Sequence, residues 1–344
     1  TWIIKTEIVN FKVNLISTPA FSSTLKTIYY SDKNQLHAFN LISNQTTCVQ
    51  KCALSTDNFA AARQLIVSKL TTLDEPNQKL YISDYQNCVI VQDDLITGVS
   101  TNLVGSMGKC ARPSNWQSLI STQNKTIAFP LSNLTLVLPT AMHLDSVGRK
   151  LFIADTHSLV LLPKLLYIID LQTLFVTAFE IGSQSATSLI SIQNHALLLA
   201  QSNLITMFNY SSVSLQTVAG VADSSQVAPE NGLARAVYLH YPTLITHQFS
   251  STYNRLFLVN NAANSGSVLK IIDMITGTYS TANVLLQSSD DSRTIFSFSL
   301  ISGMVIHNDS LYMVERTYLY KIDLIHDKSL LHGQFVAHVM LNDL

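Results

Sequence analysis

Apolar and polar positions in this chain change places over short distances. Brief apolar stretches, many of them alternating with polar residues, are separated by Ser, Thr, Asn, Asp and Gly, a pattern that favours strands and turns over long helices. Only the window from Asp57 to Leu70 tempts a helix, and the repeat described next puts Leu65 to Thr71 on a strand instead. One motif recurs: an apolar, often aromatic run closing on a small polar or acidic pair. It appears as Thr27-Ile28-Tyr29-Tyr30-Ser31-Asp32, Leu80-Tyr81-Ile82-Ser83-Asp84 and Leu151-Phe152-Ile153-Ala154-Asp155. Weaker or variant copies are Leu197-Leu198-Leu199-Ala200-Gln201, Leu256-Phe257-Leu258-Val259-Asn260 and Leu311-Tyr312-Met313-Val314-Glu315.

Each copy is followed by a second landmark, an apolar run ending in Asn or Asp and then a turn: Phe39-Asn40, Val91-Gln92-Asp93, Ile168-Ile169-Asp170, Phe208-Asn209, Ile271-Ile272-Asp273 and Lys321-Ile322-Asp323. Asp and Asn suit a turn start because their side chains accept backbone N–H groups two residues on. Thr97-Gly98 and Thr276-Gly277 supply turn residues that tolerate positive φ. A third landmark precedes the first: Pro139-Thr140 and Pro242-Thr243 open two strands at matching places, and Asn14 to Thr24 parallels Thr243 to Thr252. Each unit therefore reads as inner strand, hairpin, aromatic strand, loop, Asp-ended strand, turn and outer strand.

Six such units predict an all-β fold, a six-bladed β-propeller of four-stranded antiparallel blades forming a single domain over residues 1–344. The blades fall near 14–50, 62–104, 134–180, 187–219, 241–286 and 296–341, with Gln334 to Leu341 as the last outer strand. Residues 1–13 read as a strand that pairs into the last blade and closes the ring. A lone four-stranded unit leaves both faces wet; stacking the blades face to face buries them.

At these landmarks the chain resembles the NHL-repeat β-propellers, the extracellular type included. Their units run from a Gly-containing connector through Pro and an inner strand to a Tyr-Val-Ala-Asp-like strand and an Ile-Asp-turn-Thr-Gly hairpin. Pro139 to Thr156 is the best copy, and Thr217-Val218-Ala219-Gly220, leading through Asn231-Gly232 to Tyr241-Pro242, resembles the connector. The resemblance implies the fold and no particular activity. The fourth copy lacks the acid, and the Asn-Arg expected after it is absent throughout. The six-bladed propeller of the low-density-lipoprotein-receptor type is a near neighbour, through Tyr29-Tyr30-Ser31-Asp32.

Composition narrows the function. Of 344 residues 47% are hydrophobic and only 12% charged, about half the usual charged share. With 21 Lys+Arg against 22 Asp+Glu, there is no basic excess to neutralise phosphates, so no nucleic-acid partner is expected. No membrane span is expected either: the best candidate, Leu159 to Ile169, is broken by Pro163 and Lys164 and falls short of about 20 apolar residues.

Four cysteines, Cys48, Cys52, Cys88 and Cys110, allow three pairings. Cys88 opens the third strand of the second blade and Cys110 lies just past its fourth, which favours Cys88–Cys110 with Cys48–Cys52. The similar settings of Lys51-Cys52-Ala53 and Lys109-Cys110-Ala111 keep the crossed pairings open. Five Asn-x-Ser/Thr sequons, at Asn44, Asn124, Asn133, Asn209 and Asn308, are glycosylation candidates, three of them in expected hairpin turns. Disulfides, sequons and few lysines point to a secreted or cell-surface protein.

Chemistry is thin. No Gly-x-Ser-x-Gly, nucleotide loop or His-Glu-x-x-His occurs. Asp32, Asp84, Asp155 and Glu315 recur at one repeat position, as expected of side chains that each fix their own loop. His143, His247 and His307 lie on or near inner strands, and the propeller lyase that completes peptide amidation holds zinc with three such histidines. Counting from Pro139 and Pro242, however, places His143 and His247 one residue out of register. No metal, cofactor or catalytic residue is therefore assigned. The long connectors, Gly105 to Leu131 and Asp223 to Tyr241, should project from one face and carry Arg112, Trp116, Arg235 and Tyr238, residue types enriched at interfaces. The function expected is a non-catalytic extracellular binding or assembly module for a protein or glycan, copies of itself included. The alternative is a metal-dependent propeller lyase or hydrolase with its site in the central channel.

Overall fold

A computed structural model describes residues 6–10, 19–22, 24–32, 35–43, 45–50, 68–85, 87–106, 108–112, 115–122, 126–156, 163–182, 184–192, 196–221, 231–239, 242–249, 254–262, 266–281, 284–287, 293–296, 301–307, 310–315, 318–324 and 335–338. The fold is all-β: a six-bladed propeller of antiparallel blades, in which the only helices among the described residues are 3-10 turns of three or four residues. The helix-tempting window lies almost wholly outside the described residues, and its last residues enter a strand.

The chain begins with β1 (Thr6–Asn10). Blade 1 is β2 (Ala20–Ser22), β3 (Thr27–Asp32), β4 (Gln35–Asn40) and β5 (Gln45–Gln50). Blade 2 is β6 (Ser68–Asp74), β7 (Lys79–Asp84), β8 (Val89–Asp94) and β9 (Ser100–Val104). A short β10 (Ala128–Pro130) precedes blade 3, which is β11 (Pro139–Asp145), β12 (Lys150–Asp155), β13 (Leu165–Asp170) and β14 (Phe175–Glu180). Blade 4 is β15 (Ala186–Ile192), β16 (Ala196–Gln201), β17 (Leu204–Asn209) and β18 (Ser214–Ala219). After β19 (Asn231–Leu233), blade 5 is β20 (Pro242–Phe249), β21 (Asn254–Ala262), β22 (Gly266–Asp273) and β23 (Thr278–Thr281). β24 (Val284–Gln287) and β25 (Arg293–Phe296) follow. Blade 6 is β26 (Ile301–His307), β27 (Ser310–Glu315) and β28 (Tyr318–Asp323), and β29 (Phe335–His338) ends the series. Two compact units divide the chain: Thr1–Leu15 with Leu199–Met207 and Gln216–Leu344, and Ile16–Leu198 with Phe208–Leu215.

Burial follows the requirement that a blade be covered on both faces. In β7 and β12 every residue after the first is buried, and β16 is buried throughout, whereas the first four residues of β18 are exposed. The core lies at the seams between successive blades. Leu80, Ile82, Val89 and Val91 of blade 2 pack on Ala20, Tyr29, Leu36 and Ala38 of blade 1. The other face of blade 2, through Tyr81 and Ile90, meets Met142, Leu144, Leu151 and Ile153 of blade 3. Phe257, Val259, Leu269 and Ile271 of blade 5 meet Met304, Leu311, Met313 and Ile322 of blade 6.

Polar fasteners cross the same seams. Ser22 Oγ donates to Glu75 Oε1 at 2.7 Å, and the Thr24 N–H donates to the same oxygen at 2.6 Å. Fully buried Asp74 pairs with Arg149, whose side chain is 22% exposed. Thr140 Oγ1 donates to the Ala186 carbonyl at 2.7 Å, and the Ile301 N–H donates to Ser267 Oγ at 3.1 Å.

The turn-starting residues behave as their chemistry requires. Asn40, Asp170, Asn209 and Asp273 each accept the N–H groups two and three residues on through Oδ1, at 2.8–3.1 Å. Those bonds, led by the one from Thr173, hold the Asp170 carboxyl below its usual range. In blade 2 the cap is Asp94, not Asp93: Asp94 Oδ1 accepts from Ile96 and Thr97, while Asp93 is buried and bonded by the Ser100 hydroxyl.

For the outer edge of blade 6 the sequence offers two segments, residues 1–13 and Gln334 to Leu341, and the N-terminal one takes it. The fourth strand of blade 6 is β1, paired antiparallel to β28 with Thr6 opposite Ile322 and Asn10 opposite Tyr318. The strand expected there, Gln334 to Leu341, supplies β29, which runs parallel to β24 in a separate sheet ordered β25-β24-β29.

Two outcomes test these seams. Removing the residues before Lys12 deletes a whole blade strand and should lower the melting temperature by on the order of 10 °C; an unchanged melting point would show β1 to be dispensable. Arg149→Met strands the buried Asp74 carboxylate and should cost about 3 kcal/mol in urea unfolding; a midpoint equal to wild type would show the pair to be idle.

Candidate functional site

The connectors were the expected display surface, and the structure lays them against the blades. In the first, β10 pairs antiparallel with β14, Ala128 opposite Thr177, which makes blade 3 five-stranded. In the second, β19 pairs with β23, Asn231 opposite Ser280, and does the same for blade 5. Phe129, Leu131, Leu134 and Leu136 join the blade 2–blade 3 core. The connectors therefore cover strand edges.

The first connector is fastened at its start by the Cys88–Cys110 disulfide, Cα–Cα 5.3 Å. Cys88 is buried and adopts a left-handed φ of 57°. Its carbonyl lies so near Gly105 that a Cβ there would approach within 2.3 Å, and Gly220 stands in the same relation to Asn203 at 2.2 Å. Only glycine fits where the outer strand leaves its blade. Cys48 is also disulfide-bonded; Cys52 lies outside the described residues.

Arg112 and Trp116 turn inward. The Arg112 guanidinium donates from Nη2 to the Pro163 carbonyl at 2.7 Å and lies 5.2 Å from the centre of the Trp116 ring, which packs on the core. Beside it Lys164 is 3% exposed, and burial, with the Arg112 charge, lowers its pKa. Tyr238 is 6% exposed and lies against the Asn203 amide, 3.1 Å away, so it is a core residue and offers no surface anchor. Of the four interface candidates only Arg235 is exposed.

The recurring polar position closing the second strand is spent inside the protein. Asp84 fixes its own loop, accepting from the Asn87 N–H at 3.2 Å and the Asn87 amide at 2.7 Å. Asp155 instead reaches the connector, accepting from the Leu138 N–H at 2.6 Å and the Val137 N–H at 3.1 Å. Thr206 donates to Gln201 at 2.7 Å, and Tyr320 to Glu315 at 2.7 Å. Asn260, 2% exposed, is the exception: neither amide atom finds a hydrogen-bond partner among the described residues. The Asp32 side chain lies outside the described residues.

The two inner-strand histidines keep the offset counted along the sequence. Register shifts between Pro139 and Ala141, and between Pro242 and Leu244, insert one residue at the start of the inner strand. The shift falls at the same place in both blades and leaves their relative register intact: His143 lies opposite Phe152, whereas Thr246 lies opposite Phe257 and His247 opposite Leu256, so the two histidines stay one residue out of register. Their bonds do more to place them. His143 Nε2 is hydrogen-bonded to Ser191 Oγ on the next inner strand at 2.9 Å. His247 Nε2 donates to Asn254 Oδ1 in its own hairpin at 2.6 Å. The His307 side chain lies outside the described residues, and among the described residues no group of three His, Cys, Asp or Glu could hold a metal. Burial lowers the His143 pKa to about 4, against the opposing pull of Asp145.

Of the sequons, Asn133 is exposed in a 3-10 turn, and Asn209 spends its Oδ1 on its turn. Asn44, Asn124 and Asn308 lie outside the described residues. No helix among the described residues is long and apolar enough to cross a membrane.

No known family profile matches the chain, and no curated protein matches it. Solved structures do. An auxiliary nutrient binding protein from Bacteroides thetaiotaomicron shares 11% identity over 93% of this chain and 76% of its own, with a TM-score of 0.61. A gluconolactonase from Xanthomonas campestris shares 11% identity over 92% of this chain and 89% of its own, TM-score 0.57. A chain of the nidogen/laminin complex shares 12% identity over 84% and 81%, TM-score 0.51. At these identities the likeness establishes the propeller fold.

The His143 environment sets a pH dependence. Its folded pKa of about 4 lies below the roughly 6.5 of an unfolded histidine. The unfolded chain therefore binds the proton first, and stability falls as pH drops below that value. Between pH 7 and pH 5 His143 should account for a loss of about 2 kcal/mol. His143→Gln should lose correspondingly less than wild type in urea unfolding at the two pH values, and equal losses would contradict this.

Proposed function

We propose that the chain is a non-catalytic, extracellular binding or assembly module built on an NHL-like propeller, with a protein or glycan partner. The observation that carries it is the inward commitment of the polar residues: Asp84, Asp155, Glu315, His143 and Arg112 are hydrogen-bonded to this chain's own loops and strands. A catalytic site needs such groups free to meet a substrate. The Cys88–Cys110 bridge supports an oxidising compartment, and Asn133 and Asn209 are the described sequons a glycan would use. The auxiliary nutrient binding protein is compatible with a binding role, and the gluconolactonase keeps a hydrolase as the competing reading.

One preparation discriminates. Protein purified from native material should show no free thiols under denaturing, non-reducing conditions, substoichiometric divalent metal, and no hydrolysis of a sugar lactone after loading with zinc or calcium. Four free thiols would overturn the extracellular assignment. Stoichiometric metal with lactone turnover would overturn the non-catalytic one.

A further inference from the structure

Exposed apolar side chains scattered singly over a surface need no explanation. In blades 1 to 3 they are sorted. In an antiparallel blade the turn joining the first two strands and the turn joining the last two lie at the same end. Of the eight large apolar side chains exposed among the described residues of these blades, seven stand at that end. Leu25 lies in the β2–β3 turn, Ile42 in β4–β5, Ile96 and Val99 in β8–β9 and Val147 in β11–β12, with Leu174 and Phe175 where the chain enters β14. Only Val49, near the far end of β5, stands elsewhere. Val147 is 95% exposed, Ile42 79% and Ile96 78%. The three ends are side by side, joined by the seam bonds of Ser22 with Glu75 and of Asp74 with Arg149.

The same turns are prepared to leave water. The N–H groups at their tips are already bonded: Ile42 donates to Asn40, Ile96 to Asp94, Val147 to Asp145 and Leu25 to Ser22 Oγ. None of the exposed residues in these turns is charged, and Lys26, Glu75 and Arg149 are half-buried. Asp94, Asp145 and Asp170 lie at the strand ends behind the tips, with Oδ1 turned to the tip N–H groups. An unbonded N–H or an exposed charge would make the removal of water expensive. The matching turn of blade 4 exposes Ser211 and Ser212 beside the Asn209 sequon and bounds the apolar end.

The residue types say what meets this end. Protein interfaces draw their energy from Trp, Tyr and Arg seated in pockets, and Leu, Val, Ser and Thr are under-represented there. The exposed residues of these turns are chiefly Leu, Ile, Val, Ser and Thr. Packed sheets stand about 10 Å apart, so the tips of successive blades are separate points and not one patch for a partner's pocket to enclose. A bilayer interface takes separate aliphatic points without a matching pocket, and the hydroxyls between them meet headgroups. No exposed basic residue is there to hold an anionic lipid.

We propose that the turn end of blades 1 to 3 is a peripheral membrane-docking surface, which rests its aliphatic tips in the interface of a zwitterionic lipid layer. A lipid surface is added in this way to the protein or glycan partner proposed above, and depends on neither.

The test is flotation of the intact chain with phosphatidylcholine vesicles. Wild type should float with them, equally at low and high salt and with no gain from added phosphatidylserine. Ile96→Ser and Val147→Ser should each weaken binding about tenfold without moving the melting temperature, while Val49→Ser, at the far end, should bind as wild type does. With vesicles present, the amides of residues 41–43, 95–99 and 146–148 should exchange more slowly, a readout that does not depend on the variants. A wild type that fails to float overturns the proposal. So does binding that both tip variants leave intact, binding that requires phosphatidylserine, or a glycan on Asn44, two residues past Ile42, in native protein. Self-association without flotation, abolished by both tip variants, overturns the lipid surface in favour of a second copy.

Discussion

A blade of this protein is apolar on both faces, and neither face can remain in water. That requirement governs the fold more than any single bond. Tyr81 on one side of β7 and Ile82 on the other are each buried against a different neighbouring blade. A four-stranded sheet built from such strands has no stable existence alone, so each blade is a condition for the next. The polar residues follow from it. Glu75, Asp74, Thr140 and Ser267 are placed at seams, where they align apolar faces that would otherwise be free to slide, and each is satisfied by the adjoining blade.

The parts of this arrangement set by local chemistry were legible in the sequence. The apolar second strands could be read from Leu80 to Asp84 and Leu151 to Asp155, and the turns from Asn40, Asp170, Asn209 and Asp273, because an Asx side chain bonds to backbone two and three residues away. Blade 2 shows the limit: Gln92-Asp93-Asp94 offers two caps, and only burial of Asp93 beside Ser100 decides between them. The parts set by distant pairing were not legible. Nothing near Ala128 or Asn231 states that three residues will lie along β14 or β23. That Phe335–His338 would lie beside β24 and not at the edge of β28 is likewise settled across distant parts of the chain. The extra residue after Pro139 and Pro242 was also hidden, because a bulge needs no special sequence; Thr140 and Thr243 place their hydroxyls near the carbonyls of Ala154 and Val259 at 3.4 and 3.3 Å.

The candidate site suffered most from that gap. Arg112, Trp116 and Tyr238 have the residue types of interface anchors, and in this fold they anchor the connectors to the protein itself. Residue type says that a side chain will form a strong contact. Which partner receives it depends on where the connector runs, and here the connectors are drawn in by the need to cover the edges of blades 3 and 5.

The pairing of β1 with β28 carries a consequence for the order in which the protein can be made. β1 is made before all six blades, yet it belongs beside a strand of the sixth, with Thr6 opposite Ile322. Five blades can collapse on one another as they are synthesised, but during that time β1 has no site in the fold and its apolar Ile8 and Val9 have no assigned place. Completion is therefore tied to the synthesis of blade 6, and this waiting strand is the segment that a chaperone would have to shield.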